Sequence, residues 1–333
     1  GLPGAGRLRV AALAALWVPF PSVVLFMIFS FFRIHEAFPV LFPLHIPQLL
    51  ALSSLGALGW HMVLTGRVRP YWRRELSLLT VFFGIVLVGG VLLSSNRTAA
   101  QQYFLDVYVK IIIMTLATAW LLRRPPHFRL ASNGICLAGA LISGVALYNK
   151  ANGIGLVEGT RVTIGRELGS VLGDPNDLSL ALMFPMAFSL SLMLTPGLSR
   201  VSRLIGLCSA VLALLAVIAT QSRGGLLGVM TVWGIYAWQR VRNRALLATG
   251  GGAAALVLFA AAGISGRESG GAAEAGIDAS SMGRLWAWQA ALRMALADPL
   301  TGVGLNNFYF NYFFYSSHWD GLNHAVHSTW FGV

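Results

Sequence analysis

The sequence predicts an all-α, polytopic integral membrane protein: a bundle of about nine transmembrane helices followed by a long helical loop on the outer face. Three observations carry this. Hydrophobic residues fill 56% of the 333 positions and charged residues only 11%, with a mean hydropathy of +0.69. A soluble domain carries roughly 25% charged residues, so there are too few polar groups here to cover a water-facing surface. Apolar runs of about 20 residues, the length that crosses a bilayer, recur along the chain. Basic residues then collect in alternate gaps between those runs, as membrane orientation requires.

The runs cover about 11–32, 41–63, 76–95, 104–122, 130–149, 177–195, 203–221, 224–239 and 245–263. Pro43 and Pro47 open the second, and Asp106 and Lys110 fall in the first turns of the fourth. Pro21 and Pro185 lie inside spans and are expected to bend them. Glycines 250–252 are expected to let the ninth helix pack closely on a neighbour. Cys136 and Cys208 both sit in apolar runs and read as buried small hydrophobes, neither a disulfide nor a metal pair. The division expected is a bundle over 1–263, with an outer loop at 150–176, and a loop over 264–333. Starting at Gly1 and ending at Val333 after an aromatic, polar stretch, the chain reads as a piece of a longer membrane protein.

One set of gaps holds Arg7 and Arg9; Arg67, Arg69, Arg73 and Arg74; Arg123, Arg124 and Arg129; Arg200 and Arg203; and Arg240, Arg242 and Arg244. The alternate set holds Arg33; Arg97; Lys150, Arg161 and Arg166; Arg223; and, after the last span, Arg267, Arg284 and Arg293. The richer set is assigned to the cytoplasm, which places the N-terminus inside and both long hydrophilic stretches outside. The net charge of +12 is therefore a matter of topology: the cations are scattered between apolar runs, with no dense stripe for nucleic acid. No glycine-rich nucleotide loop is present, and the outer face is beyond cytosolic ATP. Chemistry there needs a donor already activated and carried by the membrane.

The polar residues concentrate in four places. Asp174-Pro175-Asn176-Asp177 forms a turn and helix start, with Asn176 or Asp177 able to cap the sixth span. Thr220-Gln221-Ser222-Arg223-Gly224-Gly225 is a tight turn holding an arginine at the membrane boundary. A guanidinium there either snorkels or binds an anion such as pyrophosphate, for which its fixed fork of donors is suited. Arg161 and Arg166, in the outer loop, are ordinary loop cations or partners in the same anion site. Near the end, Met282 to Leu296 reads as a helix stopped by Asp298-Pro299, with Leu285, Trp288, Leu292 and Leu296 on one stripe and Arg284 beside it. Gly302 to Phe308, which includes Asn307, is a glycine-rich turn able to bring backbone amides to a ligand. Tyr309 to Tyr315 is aromatic, and His318, Asp320, His324 and His327 follow. Their spacing lacks a zinc pattern; a single histidine acting as a base on a hydroxyl suits it better, since imidazole titrates near neutral pH.

Taken in order on one membrane face, GDPNDLSLAL, TQSRGGLLG, GRLWAWQAAL, DPLTGVGLNNF and AVHSTWFGV resemble the bacterial O-antigen ligase and O-antigen polymerase superfamily, which includes membrane O-oligosaccharyltransferases. The resemblance spans about 150–333 by motif and the whole chain by hydropathy. It implies a multispan enzyme of the bacterial inner membrane, with a large periplasmic loop over the active site. The implied reaction is metal-independent, cofactor-free and inverting transfer of a glycan from undecaprenyl pyrophosphate to lipid A core, to another repeat unit or to a protein hydroxyl. By the same resemblance Arg223, Arg284 and His327 are the catalytic positions. Arg161 or Arg166, Asn176, Asn307 and His324 are candidate donor- or substrate-binding positions. The spans that normally follow the histidine are missing from this sequence. The competing class is a transporter of the lipid-linked glycan, which would need a polar path through the spans; only Asp106 and Lys110 approach membrane depth.

Overall fold

The computed structural model describes residues 19–65, 74–121, 125–261 and 279–319, together with 321, 323 and 326. In chain order the helices are α1 (Pro19–Phe32), α2 (Ile34–Ala37), a 3-10 turn at Pro39–Leu44, α3 (Ile46–Thr65), and α4 (Arg74–Ile85) running on into a π-helical stretch at Val86–Leu92. Next come α5 (Arg97–Tyr103), continued through a π-helical stretch at Phe104–Tyr108 into α6 (Val109–Leu121), then α7 (Pro125–Asn152) and α8 (Pro175–Leu194). The last are α9 (Arg200–Thr220), α10 (Arg223–Arg240), α11 (Arg244–Ala261), α12 (Ala279–Ala297) and α13 (Phe308–Tyr315). Among the described residues the one extended pairing is an isolated antiparallel bridge between Val157 and Arg161.

Among the described residues, six helical stretches are long and apolar enough to cross a membrane: Arg74–Leu92, Arg97–Trp120, Pro125–Asn152, Pro175–Leu194, Arg200–Thr220 and Arg244–Ala261. Two shorter apolar helices, Pro21–Phe32 and Ile46–Trp60, coincide with the first two predicted spans. Helix α10 matches the predicted eighth span and has 18 residues, but Arg223, Gln239 and Arg240 make it more polar than the six. The chain is a polytopic helical membrane protein. The start of the first predicted span, and Arg7, Arg9, Arg67, Arg69, Arg73, Arg123, Arg124 and Arg267, lie outside the described residues.

Helix boundaries differ from the sequence expectation where capping decides. The fourth span begins at Arg97, because Asn96 accepts a hydrogen bond from the Ala99 amide; Asp106 is thus nine residues inside the helix and not in its first turn. Asp174, and not Asn176 or Asp177, caps α8, accepting from the Asn176 and Asp177 amides at 2.7 and 3.3 Å with Pro175 at the first helical position.

The chain divides into two compact units. The first, over 1–68 and 121–267, has α9 packed on α7 and α8, α8 against α10, and α1 against α3 and α7. Apolar attraction gives no advantage between helices in lipid, so close approach depends on small residues. The buried face of α9 is accordingly Ser202, Gly206, Ser209, Ala210, Ala213, Ala216, Val217 and Thr220. A Cβ on Gly206 would sit 2.8 Å from the Ser189 carbonyl oxygen, and one on Gly225 2.6 Å from the Ser179 side chain. Gly139 receives the ring of Pro185. Glycines 250–252, by contrast, have nothing within 4 Å of such a Cβ, so the packing expected at the ninth span is carried elsewhere.

The second unit, over 69–120 and 268–333, groups the hairpin of the third and fourth spans with the C-terminal segment. Leu305 is buried among Val86, Val91, Ala100 and Phe104 of the hairpin, and Tyr312 of α13 is buried against Ala287 and Ala290 of α12.

Candidate functional site

The first unit brings together three of the polar sequences singled out above. The loop between α7 and α8 is held by side chains along its length. Asn149 donates from Nδ2 to the Thr163 carbonyl at 3.0 Å, Lys150 donates to the Thr160 carbonyl, and Thr163 donates to the Gly155 carbonyl at 2.5 Å. Left-handed φ values at Gly153, Gly155, Gly159, Gly165 and Gly169 let the backbone fold tightly enough to do this. The loop then docks on the α9–α10 turn: the Val162 amide donates to the Ala219 carbonyl at 3.3 Å and Thr160 Oγ1 to Gln221 Oε1 at 2.9 Å.

Arg161 is the centre of this junction. Only 4% exposed, it donates from Nε to the Thr220 carbonyl at 3.1 Å and from Nη2 to Asn176 Oδ1 at 3.1 Å, with Glu158 Oε1 3.8 Å from Nη1. Asn176 Oδ1 also accepts from Ser222 Oγ at 2.9 Å. One amide oxygen therefore ties the first turn of α8 to the N-cap of α10, because Ser222 Oγ also accepts from the Gly225 amide at 3.2 Å. The two helices begin side by side, and their N-terminal amides, with the positive ends of both dipoles, meet at one place. Asp174 and Asp177 share that end, so the cluster carries both signs of charge.

The tight turn falls inside the expected Thr220–Gly225 segment, but a non-glycine residue makes it. Gln221 adopts the left-handed conformation (φ 52°) and closes α9, while Gly225 serves the close contact with Ser179. Arg223 is the first residue of α10 and is exposed. Arg166 is exposed on a short 3-10 turn and donates from Nη1 to the Gly173 carbonyl at 3.2 Å. Ser222 was not anticipated as a site residue, although Ser followed by a helix start is a readable capping signal.

A second polar group in this unit also escaped the sequence reading. Glu36 on α2 is buried, accepts from Arg33 Nη1 at 2.5 Å, and keeps its Oε2 buried without a hydrogen-bond partner; His35 Nε2 lies 3.8 Å from the same carboxylate. Burial lowers the His35 pKa, opposed by the Glu36 charge and assisted by Arg33. The two residues follow a left-handed turn at Arg33 and look like an ordinary polar loop in sequence.

The remaining candidates belong to the second unit or fall outside the description. Arg284 is exposed on α12. Asn307 is fully buried and donates from Nδ2 to the carbonyls of Asn96 and Val303 at 3.3 and 3.1 Å. His318 stacks on Trp286 with ring centroids 4.8 Å apart, and its Nδ1 is 3.0 Å from Ser317 Oγ. His324, His327 and Asp320 lie outside the described residues. Among the described residues, no group of three or more His, Cys, Asp or Glu is placed to hold a metal ion.

Residues 208–333 match the family model of the O-antigen ligase. No curated protein and no solved structure matches the chain. The matched segment includes Arg223, Arg284, Asn307, His324 and His327, whereas Arg161, Arg166 and Asn176 precede it. That match is a similarity over the C-terminal part of the chain, and it supports placing the chain in the O-antigen ligase superfamily.

Proposed function

We propose that the protein transfers a glycan from undecaprenyl pyrophosphate to an acceptor hydroxyl on the periplasmic face of the bacterial inner membrane, as an O-antigen ligase does. The observation that carries this reading is the family match over 208–333, which takes in Arg223, Arg284 and His327 in the order of the motifs. The N-terminal junction of α8 and α10 supports an anion site beside Arg223, since backbone amides and helix dipoles favour negative charge there.

In this reaction the bond from the anomeric carbon to the pyrophosphate oxygen breaks, the acceptor oxygen attacks from the opposite side, and configuration inverts. Arg223 and Arg284 offset the charge that develops on the leaving pyrophosphate. His327 takes the proton of the acceptor hydroxyl. Arg161, whose Nε and Nη2 donate to protein acceptors, is a positioning residue that sets Asn176 and the α10 N-terminus, and Arg166 supplies an exposed cation on the same loop. The arginines neutralise the pyrophosphate without a divalent ion. Asn307 and His324 are the remaining candidate substrate-binding positions; with the Asn307 side-chain amide held by the Asn96 and Val303 carbonyls, its part is to shape the turn. Lipid A core is the acceptor proposed first; a growing polysaccharide repeat or a protein Ser or Thr are the alternatives within the same chemistry. Simple transport of the lipid-linked glycan is the alternative of another class.

The test is a strain lacking the gene, complemented with the full chain or with His327→Ala, and read for lipid A capping, polymer length and protein glycosylation together. Loss of one of these products with unchanged membrane insertion of the variant is expected. Undiminished transfer would remove the base assignment, and loss of translocation without loss of transfer in vitro would favour transport.

A further inference from the structure

Helix α13 reads FYFNYFFY, and its two sides have different fates. Phe308, Tyr312 and Tyr315 face α12 and pack around Ala287 and Ala290. Tyr309, Phe310, Phe313 and Phe314 form a continuous exposed stripe, with Phe314 74% exposed. Trp319 extends it, packed edge-on against Phe313 at 4.6 Å. Five large aromatic side chains on one exposed surface exceed what a water-facing helix carries without a partner.

The depth of this helix is set by its attachments, all within the second unit. The Leu305 amide donates to the Gly90 carbonyl at 2.7 Å, and Leu305 is 3% exposed among Val86, Val91, Ala100 and Phe104. Gly90 lies inside the apolar stretch Arg74–Leu92, so residue 305 is already at span depth. Asn307 donates to the Asn96 carbonyl, and Asn311, in the middle of α13, donates from Nδ2 to Ser95 Oγ at 3.0 Å. Ser95 and Asn96 form the turn that joins two spanning helices, and such a turn marks the membrane boundary whichever side it faces. Helix α13 begins three residues after Leu305, at most roughly 10 Å of chain, and is itself only about 12 Å long. The polar interface of a bilayer is about 5–8 Å thick on each side of the hydrocarbon core. A helix pinned at two points to the boundary turn therefore cannot leave that layer by much.

We propose that α13 is an interfacial anchor, its exposed aromatic stripe seated in the headgroup region of the bilayer beside the turn at residues 93–96. The partner is bilayer lipid. Aromatic rings with an apolar body favour this layer, and the anchor fixes the height of the C-terminal segment over the membrane. The inference does not depend on the glycan-transfer reading.

The experiment places a nitroxide at Phe314→Cys, and separately at Phe310→Cys, with Cys208→Ser to remove a native thiol that is exposed on α9, contrary to the burial expected from its apolar run. The full chain is reconstituted in nanodiscs of phosphatidylethanolamine and phosphatidylglycerol. Collision with dissolved oxygen and with a water-soluble nickel chelate is compared with a label at the exposed loop position Glu167→Cys. Both stripe labels should show several-fold less nickel collision than the loop label while oxygen collision stays as high or higher. Nickel collision equal to the loop label would overturn the proposal. So would low collision with both reagents, which would mean that a second copy or another protein covers the stripe. Labels at two positions guard against one variant failing to fold.

Discussion

Replacing Arg161 with methionine, alone and together with Asn176→Ala, should reveal a strong coupling between the α7–α8 loop and the start of α10. Arg161 is buried and makes two hydrogen bonds at 3.1 Å, one to the Thr220 carbonyl and one to Asn176 Oδ1. Bonds to a charged group contribute about 1.5–3 kcal/mol each, and breaking a buried charge network costs roughly 3–5 kcal/mol. Glu158, well exposed and 3.8 Å away, adds little because solvent screens it. Arg161→Met should therefore cost about 3–5 kcal/mol. Asn176→Ala removes the acceptor of both Arg161 and Ser222 and should cost about 2.5–4 kcal/mol. The bond they share is lost once and not twice in the double variant, so the two effects should fall short of additivity by about 1.5–3 kcal/mol. The assay is denaturant unfolding of the full chain in detergent micelles, followed by tryptophan fluorescence. Additivity within about 0.5 kcal/mol would refute the junction as described and return Arg161 to the set of direct donor-binding cations.

Four further outcomes follow from the geometry. Arg223→Ala should reduce transfer from a lipid-linked glycan donor by about 10²–10³ in kcat with little change in thermal stability, and wild-type turnover should persist in EDTA; chelator-sensitive turnover of the purified protein counts against arginine neutralisation. Ser222→Ala removes an N-cap and the bond to Asn176, and should cost about 2 kcal/mol in the same unfolding assay. Gly225→Ala, whose Cβ would lie 2.6 Å from Ser179, should cost about 1–3 kcal/mol, partly recovered in the Gly225→Ala, Ser179→Gly double variant. The folded-state pKa of His35 is lowered below the ordinary 6.5, so the unfolded chain binds more protons in the window just below 6.5, and stability should fall as pH drops through it. His35→Gln should flatten that dependence in thermal melts between pH 7 and pH 5.

The fold class and most of the helices were legible because span length, charge scarcity and local caps are written in consecutive residues. The motif positions of Arg223 and the Asp174–Asp177 turn were legible for the same reason. What joins them was not. Asn176 and Ser222 are 46 residues apart, and Arg161 and Thr220 are 59 apart; no periodicity specifies such pairs. The glycine run at 250–252 attracted attention that belonged to Gly206 and Gly225, single glycines whose role depends on a Ser carbonyl or side chain opposite them. Asn307 is legible as part of a glycine-rich turn, but the bond from its side chain to the Asn96 carbonyl, a partner 211 residues away in sequence, is not.

The two arginines of the 150–176 loop illustrate how burial separates roles that composition leaves equal. Both precede the same turn, and both are cations on the same loop. Arg161 is packed under the helix ends with its fork pointed at a carbonyl and an amide oxygen, so a pyrophosphate reaching it would have to displace two charge-assisted bonds. Arg166 is exposed and gives one nitrogen to a loop carbonyl, which leaves its planar fork able to meet an anion from solvent or from the membrane surface. Substituting Arg161 should therefore lower stability and transfer together. Substituting Arg166 should act on donor affinity with stability nearly unchanged, and that separation distinguishes a residue that builds the proposed anion site from one that faces it.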